Sequence, residues 1–244
     1  MSTCRRTSTR GNGGAVTAGG HDTDLVAKTT WRTHFSVTHH NAALHHAHEA
    51  LAREEADTGP PRPDELLEEH RGYVTSSIIS SFSFVEALVN EFVRGAAKRL
   101  KIDKQHVLVQ LWPRIDREST LEKAQIILAE LEFPKFDKGC TPYQDVDLVR
   151  ELRNELVHYR PKWGLMALVE SEVEPGSGES AKLERKLGHR FDLNPLAEEG
   201  TYFFPDQCLG AGCAFWALGA CRRFAEAFYE KLELEPPYTA QSEG

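Results

Sequence analysis

The hydrophobic positions of this chain recur mostly every three to four residues, which is the period of an α-helix. The clearest case runs from Asp64 to Leu100 and predicts one long helix that begins at an acidic N-cap. Two apolar stripes follow its second half, so we expect other helices to cover it on two sides. The stripes consist of Val74, Ile78, Ser81, Val85, Leu88 and Phe92, and of Ile79, Phe82, Glu86, Val89, Val93 and Ala96.

Four further helices are predicted from the same period and from their boundary residues. The first covers residues 38–55 and ends at the turn cluster DTGPPRP. Residues 119–132 open on STLE, a capping box, and residues 141–160 open on TPYQ, a second one with proline at the first helical position. The second of these helices should stop at the Arg-Pro pair that follows it. Residues 206–234 predict the last helix.

These helices predict an all-α fold, an up-and-down bundle of four to five long helices. A short hairpin between residues 164–170 and 201–204 is left open. Residues 170–181 are acidic and rich in Gly and Ser, which predicts a mobile insertion. The expected organisation is a disordered N-terminal segment at 1–28, a histidine-rich helix within 29–63, the main helical domain at 64–232 with that insertion, and a flexible tail at 233–244.

Composition narrows the function classes. The chain has 29 Lys and Arg against 37 Asp and Glu, a formal net charge of −8, so it lacks the broad basic surface that captures duplex nucleic acid. Any contact with a nucleic acid must therefore be local. Uninterrupted apolar runs fall far short of the roughly 20 residues that span a bilayer, and no apolar segment follows the N-terminal arginines. We expect a cytoplasmic protein that does not contact membrane.

The stretch LVRELRNELVHYRPKW, residues 148–163, has an unusual polar face. Arg150, Asn154 and His158 lie at i, i+4 and i+8, opposite the apolar side of the helix, with Arg153 and Val157 between the two sides. We call Arg150, Asn154 and His158 the polar ridge, and expect it to face away from the bundle. The predicted core face consists of Leu148, Val149, Leu152, Leu156 and Tyr159.

Two interpretations of the polar ridge are open. It can be an ordinary solvated helix face, or it can contact something outside the bundle. Val157 favours the second interpretation because it is apolar in the middle of the supposed solvent face. A guanidinium binds phosphate through charge-assisted hydrogen bonds, and an imidazole can transfer a proton near neutral pH. An amide can orient a neighbouring group through hydrogen bonds. Together these groups suit a phosphodiester.

Glu86 is a carboxylate inside an apolar stripe, four residues after Phe82 and three residues before Val89. Buried alone it would be unfavourable, so we expect a cationic or hydrogen-bonding partner, with Arg153 as the leading candidate. Such a pair can be a structural lock or part of a site. Either role requires the two helices to pack together.

The run from Arg153 to His158 resembles the R-x4-6-H motif of the HEPN superfamily, and SSFSFVEALVNEF, residues 80–92, is similar to the earlier helix of that family with its acidic residue. The resemblance covers roughly residues 64–160. It implies a helical bundle and, for many members, a metal-independent endoribonuclease without cofactor, in which two chains bring their motifs together at a dimer interface. It therefore implies RNA and a second copy of the chain as partners, and leaves open a protein antitoxin or regulator in a toxin or defence system.

Carried over to this sequence, the resemblance implies a role for each matched residue. Arg153 would hold and polarise the scissile phosphate, His158 would act on the 2′-hydroxyl or the leaving oxygen, and Asn154 would orient. Glu86 and Tyr159 would support the site. Local RNA contacts are expected from Arg150, Arg160 and Lys162. The alternative is a non-catalytic helical module that binds a nucleotide, RNA or a protein partner through the same polar ridge.

Other chemistry is less well supported by the sequence. The five cysteines are scattered, odd in number and without a C-x-x-C pair, which is typical of reduced thiols, and no local pattern marks one as a nucleophile. H-E-x-x-H is absent from the histidine-rich segment because Ala52 occupies the position of its second histidine, so no metal site is expected. The histidines of that segment are His34, His39, His40, His45, His46 and His48.

Overall fold

The structure, a computed structural model, describes residues 34–99, 110, 112–159 and 179–238. Within these ranges the chain forms helices and no strand, which confirms the all-α prediction. A short helical turn at residues 112–115 accompanies the main helices. These are α1 (Phe35–Glu55), α2 (Asp64–Arg99), α3 (Thr120–Glu130), α4 (Tyr143–Val157), α5 (Glu179–Leu187) and α6 (Ala211–Lys231).

Helix α2 is the centre of the bundle, with α1, α3, α4 and α6 packed against it. Its first predicted stripe is buried along its whole length, and in the second Phe82, Val89 and Val93 are buried. By length and composition, residues Asp64–Val93 could also cross a membrane. Half of the most apolar part of this segment is buried inside the bundle, and core helices of water-soluble proteins share this length and composition.

Helix α1 packs closely on α2 because its inward face is made of small residues. Ala43, Ala47 and Ala50 are fully buried, whereas Leu44 is 37% exposed. The hydroxyl of Ser77 on α2 donates a hydrogen bond of 2.8 Å to the carbonyl of Ala43. The serines of α2 therefore allow a close approach of two helices.

The end of α1 is tied to the start of α6 by one carboxylate. Glu54 Oε1 accepts hydrogen bonds from the backbone N–H of Ala211, at 2.7 Å, and lies 2.8 Å from Nε2 of the buried His70. A carboxylate at this position satisfies one of the free N–H groups at the helix N-terminus and offsets its partial positive charge. Glu54 thus connects α1, α2 and α6.

Helix α6 begins later than the sequence predicted. Residues Phe203–Gln207 form a separate wide turn, and the α-helix starts at Ala211. Two glycines explain the break, because a Cβ on Gly210 would lie 2.7 Å from the Cα of Asn194 and one on Gly212 would lie 2.6 Å from the carbonyl oxygen of Asp192. Close backbone contact with residues 192–194 therefore sets the start of the helix.

The two predicted capping boxes have different outcomes. Ser119 caps α3, since its Oγ accepts a hydrogen bond of 3.3 Å from the backbone N–H of Glu122. The second box was wrong. Pro142 lies at the N-cap of α4 rather than at the first helical position, and no side chain caps that helix.

Several other predictions concern segments near the edges of the described ranges. Residues 1–28, residues 164–170 of the suggested hairpin, and most of the predicted insertion lie outside the described residues. Residues 201–204 form no strand, and the last part of the insertion belongs to α5. The expected flexible tail packs on the bundle as far as Tyr238, whose ring lies 5.8 Å from that of His40 and 5.4 Å from that of Phe84.

His46 on α1 should make stability depend on pH. Burial lowers the pKa of His46, the nearby His45 lowers it further, and Glu49 partly opposes both. Because the unfolded chain then binds a proton more readily, the free energy of unfolding should fall as pH drops through the ordinary value of 6.5. We expect His46→Gln to reduce this loss in urea denaturation compared at about pH 7.5 and about pH 5.5. Equal losses in both proteins would contradict the assignment.

Candidate functional site at the C-terminal end of helix α4

Helix α4 is fixed to the bundle mainly by its first half. The ring of Tyr143 lies 6.2 Å from that of Phe136 and 6.3 Å from that of Phe224, and Val149 and Leu152 are fully buried. Asp145 is also buried, and its carboxylate contacts two arginines: Arg190 Nη1 at Oδ1, and Arg223 Nη2 at Oδ2 at 3.5 Å. The other end of the helix, which carries the motif, is more exposed.

The helix ends at Val157, three residues before the predicted stop. His158 is the C-cap residue, and its backbone N–H donates a hydrogen bond of 2.9 Å to the carbonyl of Asn154. Its imidazole is exposed, between Val157 at 48% and Tyr159 at 52% exposure. The core prediction was wrong for Tyr159, because the helix ends before this residue and its ring lies 6.4 Å from that of Phe204. An exposed histidine is thus flanked by two exposed apolar side chains.

Arg153 has a defined environment on the same helix. Its Nη1 donates a hydrogen bond of 3.0 Å to Oδ1 of Asn154, and its guanidinium carbon lies 6.0 Å from the centre of the Phe82 ring on α2. Its Nε is buried without a hydrogen-bond partner among the described groups. The guanidinium is therefore oriented by an amide and an aromatic face, and one of its donors is unused.

The predicted pair of Glu86 and Arg153 does not form, because Arg153 contacts Asn154 and Phe82 instead. The two helices do pack together, as predicted, but through Phe82, one turn before Glu86. Glu86 is only half-buried and forms no hydrogen bond or ion pair with another described residue. Partial exposure explains why the carboxylate needs no cationic partner, since water can solvate it.

The polar ridge does not face away from the fold along its whole length. Helix α5, which the sequence analysis did not predict, lies beside it, and Lys186 forms an ion pair with Glu151 on α4. The signal for α5 was present: Leu183 and Leu187 are separated by one helical turn, both are buried, and polar residues surround them. The prediction of a mobile insertion obscured it, because only nine residues form the helix.

A cleft of about 210 Å³ separates α4 from α5. We call it the α4–α5 cleft. Arg150 and Asn154, two of the three ridge residues, line one wall, and Lys182 lines the other. Lys182 is a basic residue of this cleft that the sequence analysis did not single out. The full lining is Arg150, Glu151, Asn154, Glu155, Lys182, Leu183 and Lys186.

Two of the predicted RNA contacts, Arg160 and Lys162, lie outside the described residues. Arg150 is described, and its Nε donates a hydrogen bond of 2.7 Å to Asp147. The guanidinium of Arg150 still has its two Nη groups for a further acceptor. The described site therefore includes Arg150, Arg153, Asn154, His158 and Tyr159, with Glu86 on the neighbouring helix.

The other described histidines and cysteines lie in surroundings that favour a structural role. The histidines at the N-cap of α1 and within it contact separate partners, such as Glu91 for His34 and Phe215 for His48, and no three metal-binding side chains converge within the described ranges. Burial raises the pKa of the Cys213 and Cys221 thiols. A hydrogen bond to Asp137 raises that of the exposed Cys140. These shifts oppose the thiolate form that a cysteine nucleophile needs.

No protein-family model, curated protein or solved structure matches this chain.

Proposed function

We propose that this chain is a metal-independent endoribonuclease of the HEPN type that acts as a homodimer. The observation that supports this best is the arrangement at the end of α4, where an oriented Arg153 precedes an exposed His158 flanked by exposed Val157 and Tyr159. Exposed apolar side chains beside a polar group are typical of a surface that binds another molecule. A second copy of the same helix end would cover Val157 and Tyr159 and supply the opposing motif.

In the proposed reaction the 2′-hydroxyl oxygen of a ribonucleotide attacks the adjacent phosphorus. The bond from phosphorus to the 5′-oxygen breaks, so the products are a 2′,3′-cyclic phosphate and a 5′-hydroxyl. Arg153 binds the non-bridging oxygens, whose negative charge increases in the transition state. His158 either takes the proton of the 2′-hydroxyl or gives one to the leaving oxygen. Asn154 holds the guanidinium of Arg153 in position.

Cleavage in EDTA tests this proposal. The purified chain is incubated with a mixture of RNAs, and the new ends are analysed for cyclic phosphate. We expect His158→Asn to lower the cleavage rate at least about 100-fold, because the asparagine amide is polar but cannot take up or donate a proton as a general base or acid. His189→Asn, at another exposed histidine, is the matched control and should keep the wild-type rate.

The opposite results are equally clear. RNA left intact by the folded wild-type chain, or cleavage that persists in His158→Asn, would contradict the endoribonuclease. If the wild-type chain binds RNA, a nucleotide or another protein through the polar ridge without cleaving RNA, the non-catalytic module is the correct function.

A further inference from the structure

The α4–α5 cleft contains Lys182, Arg150 and Glu155, which have no role in the proposed chemistry. We propose that it binds one ribonucleotide unit of the RNA strand beside the cleavage site, with Lys182 and Arg150 on the phosphate and Glu155 on the ribose 2′-hydroxyl. This inference rests on the proposed function, because it assigns the cleft to the same RNA substrate. Asn154, which lines the cleft and also bonds to Arg153, connects the two sites.

The charges in the cleft favour a sugar-phosphate over a bare phosphate. Lys182 forms no ion pair with any described residue, and Arg150 has unused guanidinium donors, so both can bind phosphate oxygens. Glu151 is paired with Lys186, whereas Glu155 has no partner in the described part of the chain. An unpaired carboxylate accepts hydrogen bonds, which a phosphate cannot donate and a ribose hydroxyl can.

The size and construction of the cleft agree with the sugar-phosphate of a single nucleotide unit. Its volume of about 210 Å³ is below the roughly 300–1,000 Å³ of sites for drug-sized ligands. The buried Leu183 provides an apolar surface. Helix α5 is held against α4 at two places, by the Lys186–Glu151 pair and by Arg190, which bonds to both the Lys186 carbonyl and Asp145. The two walls are therefore fixed relative to each other.

Binding measured without cleavage tests the phosphate contacts. The probe is a short 5′-labelled oligouridylate, and every protein carries His158→Asn in the full chain. We expect Lys182→Ala and Arg150→Ala each to weaken binding about tenfold at low salt and to reduce the slope of log K against log salt by about 0.7. Arg185→Ala removes the same charge from an exposed position on α5 outside the cleft lining, and should change affinity less than about twofold.

For the ribose contact, the proposed hydrogen bond and simple charge attraction predict opposite changes in RNA affinity. Glu155→Ala removes a negative charge, so non-specific attraction would strengthen binding to RNA and to the matching DNA alike. The proposed contact instead predicts weaker RNA binding, unchanged or stronger DNA binding, and a loss of RNA preference.

Two results together would contradict nucleotide binding in the cleft. In the first, Lys182→Ala and Arg150→Ala bind RNA as tightly as Arg185→Ala does. In the second, Glu155→Ala binds RNA more tightly. They would leave the proposed function intact if the wild-type chain still cleaves RNA in EDTA. Conversely, selective effects on binding without wild-type cleavage would support the cleft and contradict the endoribonuclease.

Discussion

A heterodimer of an Arg153→Ala chain with a His158→Asn chain should cleave RNA at about half the wild-type rate, although each variant alone should lose at least about 100-fold. Five residues along a helix correspond to a rotation of about 140°, so the two side chains of one chain point in different directions. Arg153 lies against Phe82, whereas His158 is exposed beyond the helix end. Arginine from one chain and histidine from the other therefore fit one phosphate better than both from the same chain.

Two purified heterodimers distinguish these arrangements, each isolated through different affinity tags on its two chains. The first is the combination above, which keeps one complete site if the residues come from opposite chains. The second pairs a wild-type chain with an Arg153→Ala/His158→Asn chain, and it keeps no complete site in that arrangement. Both contain the same two substitutions, so their difference in rate depends only on how these are distributed. Activity in the second heterodimer and none in the first would contradict the composite site.

The sequence was sufficient for the parts of the fold that depend on strong, long periodicity. Helix α2 begins within one residue of the predicted start, with Asp64 as its first helical residue rather than its N-cap. Its first stripe is buried, because 36 residues with two apolar faces have few other ways to be covered. The cap of α3 at Ser119 was also predictable, since capping depends on nearby residues. The inward face of α1 was not predictable from hydrophobicity, because it consists of alanines whose small size allows close packing against α2.

The helix that carries the candidate residues was predictable, but the surroundings of those residues were not. Arg153, Asn154 and His158 follow from a local pattern, and the structure places them at the end of one helix. The predicted pairing of Glu86 with Arg153 was wrong because the exposure of a side chain depends on long-range packing. Helix α5 and Lys182 were missed because a nine-residue helix is marginal alone and is stabilised by tertiary contacts to α4.

Those contacts lead to the largest expected effect on stability, that of Asp145→Ala. Asp145 is buried at 5% exposure, and Arg190 and Arg223 bind its two oxygens. Removing the carboxylate leaves Arg190 without its anionic partner in a mostly buried position, which typically lowers the free energy of unfolding by about 3–5 kcal/mol. We expect the melting temperature to fall by about 10 °C for a chain of this size.

Asp147→Ala, two residues along the same helix, is the matched control for this loss. Its ion pair with Arg150 is about one-third exposed on each side, so its removal should lower the free energy of unfolding by only about 0–1 kcal/mol. Because Arg190 also bonds to the carbonyl of Lys186, Asp145→Ala should in addition speed backbone hydrogen exchange in α5, and Asp147→Ala should not. Similar denaturation curves for the two variants would show that the Asp145 pair does not hold α5 against the motif helix.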